Sequence, residues 1–111
     1  MFSNAFIDDP LGHAYNQGWH FIFGQAGWVV TAVALPGWGE FLPIVIGIAY
    51  FLGIEWAWQR LKLFWDSVED SCHVTFGAAV MAALHHSAAQ AALWVLLAWA
   101  VILAFGMWRR I

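Results

Sequence analysis

Charge is scarce in this sequence: four Lys and Arg and seven Asp and Glu stand among 111 residues, or 10%. An ordinary soluble domain carries about 25%. With a formal net charge of −3 and no basic run, the chain lacks the electrostatic footprint of a nucleic-acid binder. The single cysteine, Cys72, excludes an internal disulfide and leaves the redox compartment open; its simplest role is that of a small buried hydrophobe. Proline occurs three times, at Pro10, Pro36 and Pro43, so nothing of that kind interrupts the second half of the chain. The opening Met1-Phe2-Ser3-Asn4 has no basic residue, and Asp8 and Asp9 precede the first apolar stretch, so no cleavable signal peptide is expected. Strict alternation of apolar and polar residues is missing, which argues against a membrane β-barrel. There is no Gly-rich phosphate loop, nucleophile elbow or HExxH pattern, so no catalytic residue is nominated and an enzyme is not the first expectation.

Apolar surface is what the chain has in abundance. Hydrophobic residues make up 63% and mean hydropathy is +0.71. Nine of the residues are Trp, a side chain favoured where one edge is apolar and the other wet, as at a membrane interface. A soluble domain this small has too little interior to hide so much apolar surface. The expected fold is therefore all-α and integral to the membrane: an N-terminal interfacial segment, three transmembrane helices near residues 19–35, 41–58 and 88–108, and a long C-terminal helix, all in one domain over residues 1–111.

Local signals place the boundaries. Asp9-Pro10 reads as an N-cap followed by proline at the first helical position. Pro36-Gly37-Trp38-Gly39-Glu40 reads as a tight turn. The charged connector 59–73 holds Arg60, Lys62, Asp66, Glu69 and Asp70, and the stretch from Asp66 to His73 is expected to face solvent. Asp66-Ser67-Val68-Glu69 and Ser67-Val68-Glu69-Asp70 fit a capping box, so a new helix is expected to start there. Residues 74–108 are read as one continuous or kinked helix, the alternative being a break near His85-His86-Ser87. By the positive-inside rule, Arg60 and Lys62 put the connector and the N-terminus in the cytoplasm. Three spans would then leave Arg109 and Arg110 outside, against the same rule; a re-entrant segment at 74–86 would return them inside.

Three constellations carry candidate chemistry. His13, Gln17, His20, Gly24, Gly27 and Thr31 follow each other at spacings of three and four, on one face of the first helix. Small and polar residues in such a stripe suit a helix–helix seam. The functional alternative makes His20 a proton carrier or a haem or metal ligand. Glu55, Gln59, Lys62, Asp66, Glu69 and His73 form a second stripe at the same spacings. It reads as a solvated interfacial face with i,i+4 pairs Lys62–Asp66 and Glu69–His73; the alternative is a metal site drawn from Asp66, Glu69, Asp70 and His73. Glu55 stands at the inner end of an otherwise apolar span, where an acid needs a partner or a function. Last, Ala78, Ala79, Ala82 and Ala83 form a small-residue face suited to close approach of another helix, with His85-His86 beside it. No resident metal or cofactor is assigned.

The layout, with Trp65-Asp66-Ser67-Val68-Glu69-Asp70 followed by Gly77-Ala78-Ala79, resembles small phage- or prophage-type membrane proteins of the holin type. That resemblance implies self-association in the bilayer and pore formation. The chain departs from it at the C-terminus, where a charged tail is expected and only Arg109-Arg110 stand. In size and layout it also resembles the bacterial diacylglycerol kinase. Here, however, Glu55 is followed by Trp58 at the third place and no Asn occurs beyond Asn16, so the kinase motif does not carry over. The expected function is self-association in a bacterial inner membrane, holin- or channel-like, with the lipid bilayer and further copies as partners. An accessory subunit of a larger membrane complex is the second expectation, a membrane enzyme or cofactor carrier the third.

Overall fold

Asp9 and Pro10 start the first helix as their order predicts. Asp9 Oδ1 accepts a 2.8 Å hydrogen bond from the Gly12 backbone N–H, and Pro10 occupies the first turn, where no N–H is needed. The structure is a computed structural model that describes residues 6, 8–37, 41–58 and 64–111. Among these the chain is all-α: α1 (Pro10–Ala34), α2 (Leu42–Tyr50) continuing into a π-helix (Phe51–Trp58), α3 (Phe64–His85) and α4 (Ala89–Trp108). The interfacial turn and the first expected span are thus one continuous helix of 25 residues.

The long last helix is two helices. α3 ends in a Schellman turn, with Ser87 N–H donating to Leu84 O and Ala88 N–H donating to Ala83 O. Ser87 takes φ 56, the left-handed conformation that glycine usually supplies at this place. No side chain caps α4, so Ser87 ends one helix rather than starting the next. The capping-box reading is also displaced. α3 is already helical at Phe64, and Ser67 turns its hydroxyl away from its own backbone to donate to Glu55.

Contacts between elements give an up-down-up-down order. His13 of α1 lies by Glu69 of α3 and Trp28 by His85, so α1 and α3 run parallel. His20 packs on Tyr50 and Gly27 faces Ile46, which sets α2 antiparallel to α1. Phe21 stacks on Trp99 and His13 sits against Gly106, so α4 is antiparallel as well. One end of the bundle therefore gathers the start of α1, the end of the π-helix, the start of α3 and the end of α4.

The tightest seam joins α1 to α3. A Cβ on Gly24 would fall on the Val74 carbonyl, and one on Gly77 would fall on the Phe21 carbonyl. Two glycines facing each other across the crossing let the backbones meet, as the small-residue stripe predicts. The stripe itself is rotated: the buried positions of α1 are His13, Gln17, Phe21, Gly24 and Trp28, while His20, Gly27 and Thr31 turn partly aside. Gly27 meets only Ile46 Cγ2, at an ordinary 3.5 Å. Gly47 abuts the Thr75 hydroxyl. Below this crossing lies the apolar core of Trp28, Leu42, Ile46, Tyr50, Val74, Ala78 and Ala82. Ala78 and Ala82 thus serve the chain's own interior; Ala79 and Ala83 are half-buried beside them.

The outer surface is apolar too. Leu11, Val33, Trp94, Val101 and Trp108 are each at least half exposed. α4 is the one described helix long and apolar enough to cross a membrane by itself, and Leu42–Ala57 is a shorter apolar helix.

Candidate functional site

Polar side chains scattered from His13 to Arg110 along the sequence meet inside one end of the bundle. α1 brings His13, Gln17 and His20, the π-helix brings Glu55, α3 brings Ser67, Glu69, Asp70 and His73, and the turn after α4 brings Arg110. His13 is 1% exposed, Gln17 and His73 0%, and Glu55 2%, so these side chains are shielded from solvent. The solvated face expected for Asp66 to His73 is therefore overturned for Ser67, Asp70, Ser71 and His73. Their helix packs along α1, and burying them beside one another satisfies polar groups that an apolar exterior could not. Cys72, two residues along, faces outward instead, beside Ile44, Ile48 and Leu52. Gln59 and Lys62, with the pair Lys62–Asp66, lie outside the described residues.

The cluster divides into two neighbouring groups. In the first, His13 Nε2 is 3.4 Å from Glu69 Oε1, and the Arg110 guanidinium is 3.8 Å from Glu69 Oε2. Glu69 thus turns to α1 and α4 in place of the expected i,i+4 pair with His73. Arg110 is itself buried and donates from Nη1 to the Gly106 carbonyl at 2.8 Å. His73 receives a 2.8 Å hydrogen bond on Nδ1 from Trp99 Nε1. An indole N–H can only donate, so the neutral His73 ring carries its proton on Nε2.

The second group joins His20, Glu55 and Asp70, whose ligand atoms lie within 4.8 Å of one another. Each of the three has one atom held by a neighbouring residue. His20 Nδ1 is 2.8 Å from the Asn16 carbonyl; a carbonyl only accepts, so Nδ1 carries the proton and Nε2 keeps its lone pair. That Nε2 lies 3.4 Å from Asp70 Oδ2. Gln17 Nε2 donates to the other Asp70 oxygen at 2.8 Å, and Ser67 Oγ donates to Glu55 Oε2 at 2.9 Å. Glu55 Oε1 has no hydrogen-bond partner among the described residues. The wider turn of the π-helix carries Glu55 inward; such turns recur where a helix serves a site. Beside this group runs an apolar cleft of about 420 Å³, walled by His20, Tyr50, Trp19, Phe23 and Ile54.

The sequence nominated His13, Gln17, His20, Glu55, Glu69, Asp70 and His73, and the structure brings them together as one interior. It did not nominate Ser67, Arg110, Trp99 or Tyr50. Arg110 was legible only as an orientation marker, and Ser67 only as a cap. Comparison with known proteins finds no matching family model, no similar curated protein and no similar solved structure.

Proposed function

We propose that the chain is a small integral membrane protein whose four helices cross a bacterial inner membrane, with both termini in the cytoplasm. On this reading it works through the polar interior its helices enclose, as an ion- or cofactor-handling unit of the membrane. The observation that carries this reading is the distribution of polarity: ionisable side chains inside, Trp, Leu and Val outside. Water-soluble proteins bury the reverse set. α1, α3 and α4, of 25, 22 and 20 residues, rise about 30 to 38 Å, which matches a hydrocarbon core of about 30 Å. α2 and its π-helical continuation, 9 and 8 residues, make the shortest crossing. Charge supports the same orientation. All four Lys and Arg are Arg60, Lys62, Arg109 and Arg110, in or next to the segments that gather at one end, so the positive-inside rule marks that end as cytoplasmic. The conflict that three spans create for Arg109 and Arg110 disappears when α3 crosses as well.

A second reading, self-association of the holin or channel type, is favoured by α4. Only Ala92 and Gly106 of that helix are buried, which leaves an apolar face free for lipid or for another copy. Two measurements separate the readings. Size in mild detergent and dye leakage from loaded vesicles should show a small, non-leaky species if the interior of the single chain is the working part. Discrete rings with leakage would instead favour the pore.

A further inference from the structure

We propose that His20, Glu55 and Asp70 bind a divalent first-row transition-metal ion. The proposal rests on the membrane reading above only for its setting, since the ligand geometry belongs to the folded chain itself. Ligands about 2.1 Å from an ion at tetrahedral angles stand about 3.4 Å apart. His20 Nε2 and Asp70 Oδ2 are separated by 3.4 Å. Glu55 completes a triangle of ligand atoms within 4.8 Å, a spread that closes on an ion by small side-chain rotations.

Three further observations point to a cation rather than to a closed polar network. The first is the outer ring of contacts. Asn16 O holds His20 Nδ1 and Gln17 holds Asp70 Oδ1, which leaves His20 Nε2 and Asp70 Oδ2 facing each other, while Ser67 holds one oxygen of Glu55. That is how protein metal sites orient their ligands and fix the histidine tautomer. The second is Glu55 Oε1, an acceptor on a side chain 2% exposed that receives no hydrogen bond of good geometry, although Tyr50 and Asp70 stand beside it. Leaving such an atom buried and unpaired is costly, and an ion removes the cost. The third is charge balance. Two carboxylates side by side in a low-dielectric interior repel each other, whereas a neutral imidazole, two carboxylates and a dication sum to zero.

The neighbouring trio of His13, Glu69 and His73 is equally close-set but fits an ion poorly. Trp99 fixes the proton of His73 on Nε2, which removes the lone pair a metal needs. Arg110 already faces Glu69 with a positive charge. Three protein ligands leave a coordination position open for a further ligand, and His20 also forms part of the wall of the apolar cleft.

The test uses the full chain in detergent or lipid nanodiscs, with His85→Ala and His86→Ala introduced to remove the exposed histidine pair. Zn²⁺ and Mn²⁺ are titrated calorimetrically, metal content is measured after dialysis, and Co²⁺ is added as a spectroscopic probe. One equivalent of metal per chain is expected, with visible Co²⁺ bands of a nitrogen- and oxygen-ligated site. Glu55→Gln and Asp70→Asn, which keep shape and remove charge, should each weaken binding by more than about tenfold. His13→Gln should bind as the parent does. Helix content and thermal unfolding of each variant identify any that has not folded, and the Co²⁺ spectrum of the parent judges the site without a variant. Absence of stoichiometric metal, Co²⁺ bound without such bands, or binding lost in His13→Gln and kept in Glu55→Gln would overturn the proposal. A chain that crosses the membrane as described yet binds no metal refutes the site alone. A chain that binds metal with a different topology refutes the membrane reading alone.

Discussion

At the scale of single residues, the glycines of α1 show how position decides the sign of a substitution. Replacing a helical Gly by Ala gains about 0.8–1.0 kcal/mol of helix propensity where the new methyl has room. Gly18 has such room, with nothing within 4 Å of its would-be Cβ, so Gly18→Ala should stabilise the protein by about that amount. At Gly24 the methyl would strike the Val74 carbonyl, a backbone atom that moves only if α1 and α3 part. Overpacking of this kind costs about 1–3 kcal/mol, which outweighs the propensity gain. Unfolding in detergent should therefore rank Gly18→Ala above the parent and Gly24→Ala below it; equal effects would refute the close α1–α3 crossing. Gly27→Ala should likewise stabilise, since its neighbour Ile46 Cγ2 stands at an ordinary van der Waals distance of 3.5 Å. The spacing in the sequence showed that Gly24 lies in a seam, but not how tight that seam is. A period of 3.6 fixes a face to within one position, and the closeness of a partner backbone has no signature in a single strand of text. Trp99 makes the same point: nothing in its surroundings in α4, all apolar, announces a buried hydrogen bond to His73.

At the scale of elements, the break between α3 and α4 was the feature hardest to read. Residues 74–108 contain no proline and no glycine near the break, so propensity favours an unbroken helix. Packing wins because α4 must turn back for Trp99 and Gly106 to reach Phe21 and His13. The strain falls on Ser87, whose left-handed backbone costs a non-glycine residue about 1–2 kcal/mol. Ser87→Gly should recover about 1 kcal/mol and raise the unfolding midpoint, whereas Ser87→Val should lower it. A Ser87→Gly protein less stable than the parent would mean that the chain does not turn there in this way. The start of α1 was legible because Asp9-Pro10 is a local device whose effect is complete within one turn. The start of α3 was misread because Ser67 has two partners open to it, its own backbone and Glu55, and only the assembled fold decides between them.

At the scale of the whole molecule, the all-α class could be read from composition and the shared face of His13, Gln17 and His20 from spacing, while the burial of Asp70, His73 and Arg110 could not. Hydropathy singles out α4 because its polar content is low on every side. α1 and α3 carry His13, Gln17, His20, Glu69, Asp70 and His73, which lower their average although each turns inward to another. A window average cannot tell a polar group that faces a partner from one that faces lipid. If four helices cross as proposed, Cys72, exposed on the bundle's apolar flank about eight residues into α3, lies within the hydrocarbon. Its thiol should resist a charged reagent in intact membranes and react after solubilisation in denaturing detergent; rapid labelling in membranes would put the start of α3 in water. The most direct test of the account is the sidedness of the two ends of the bundle. With Cys72 replaced by Ala, Gly37→Cys, His86→Cys and Ile111→Cys are each exposed to a membrane-impermeant thiol reagent in sealed vesicles of known orientation. Four crossing helices predict that the first two are labelled from the extracytoplasmic face and the third from the cytoplasmic face alone. Labelling of His86→Cys from the cytoplasm and of Ile111→Cys from outside would contradict it and restore the three-span layout.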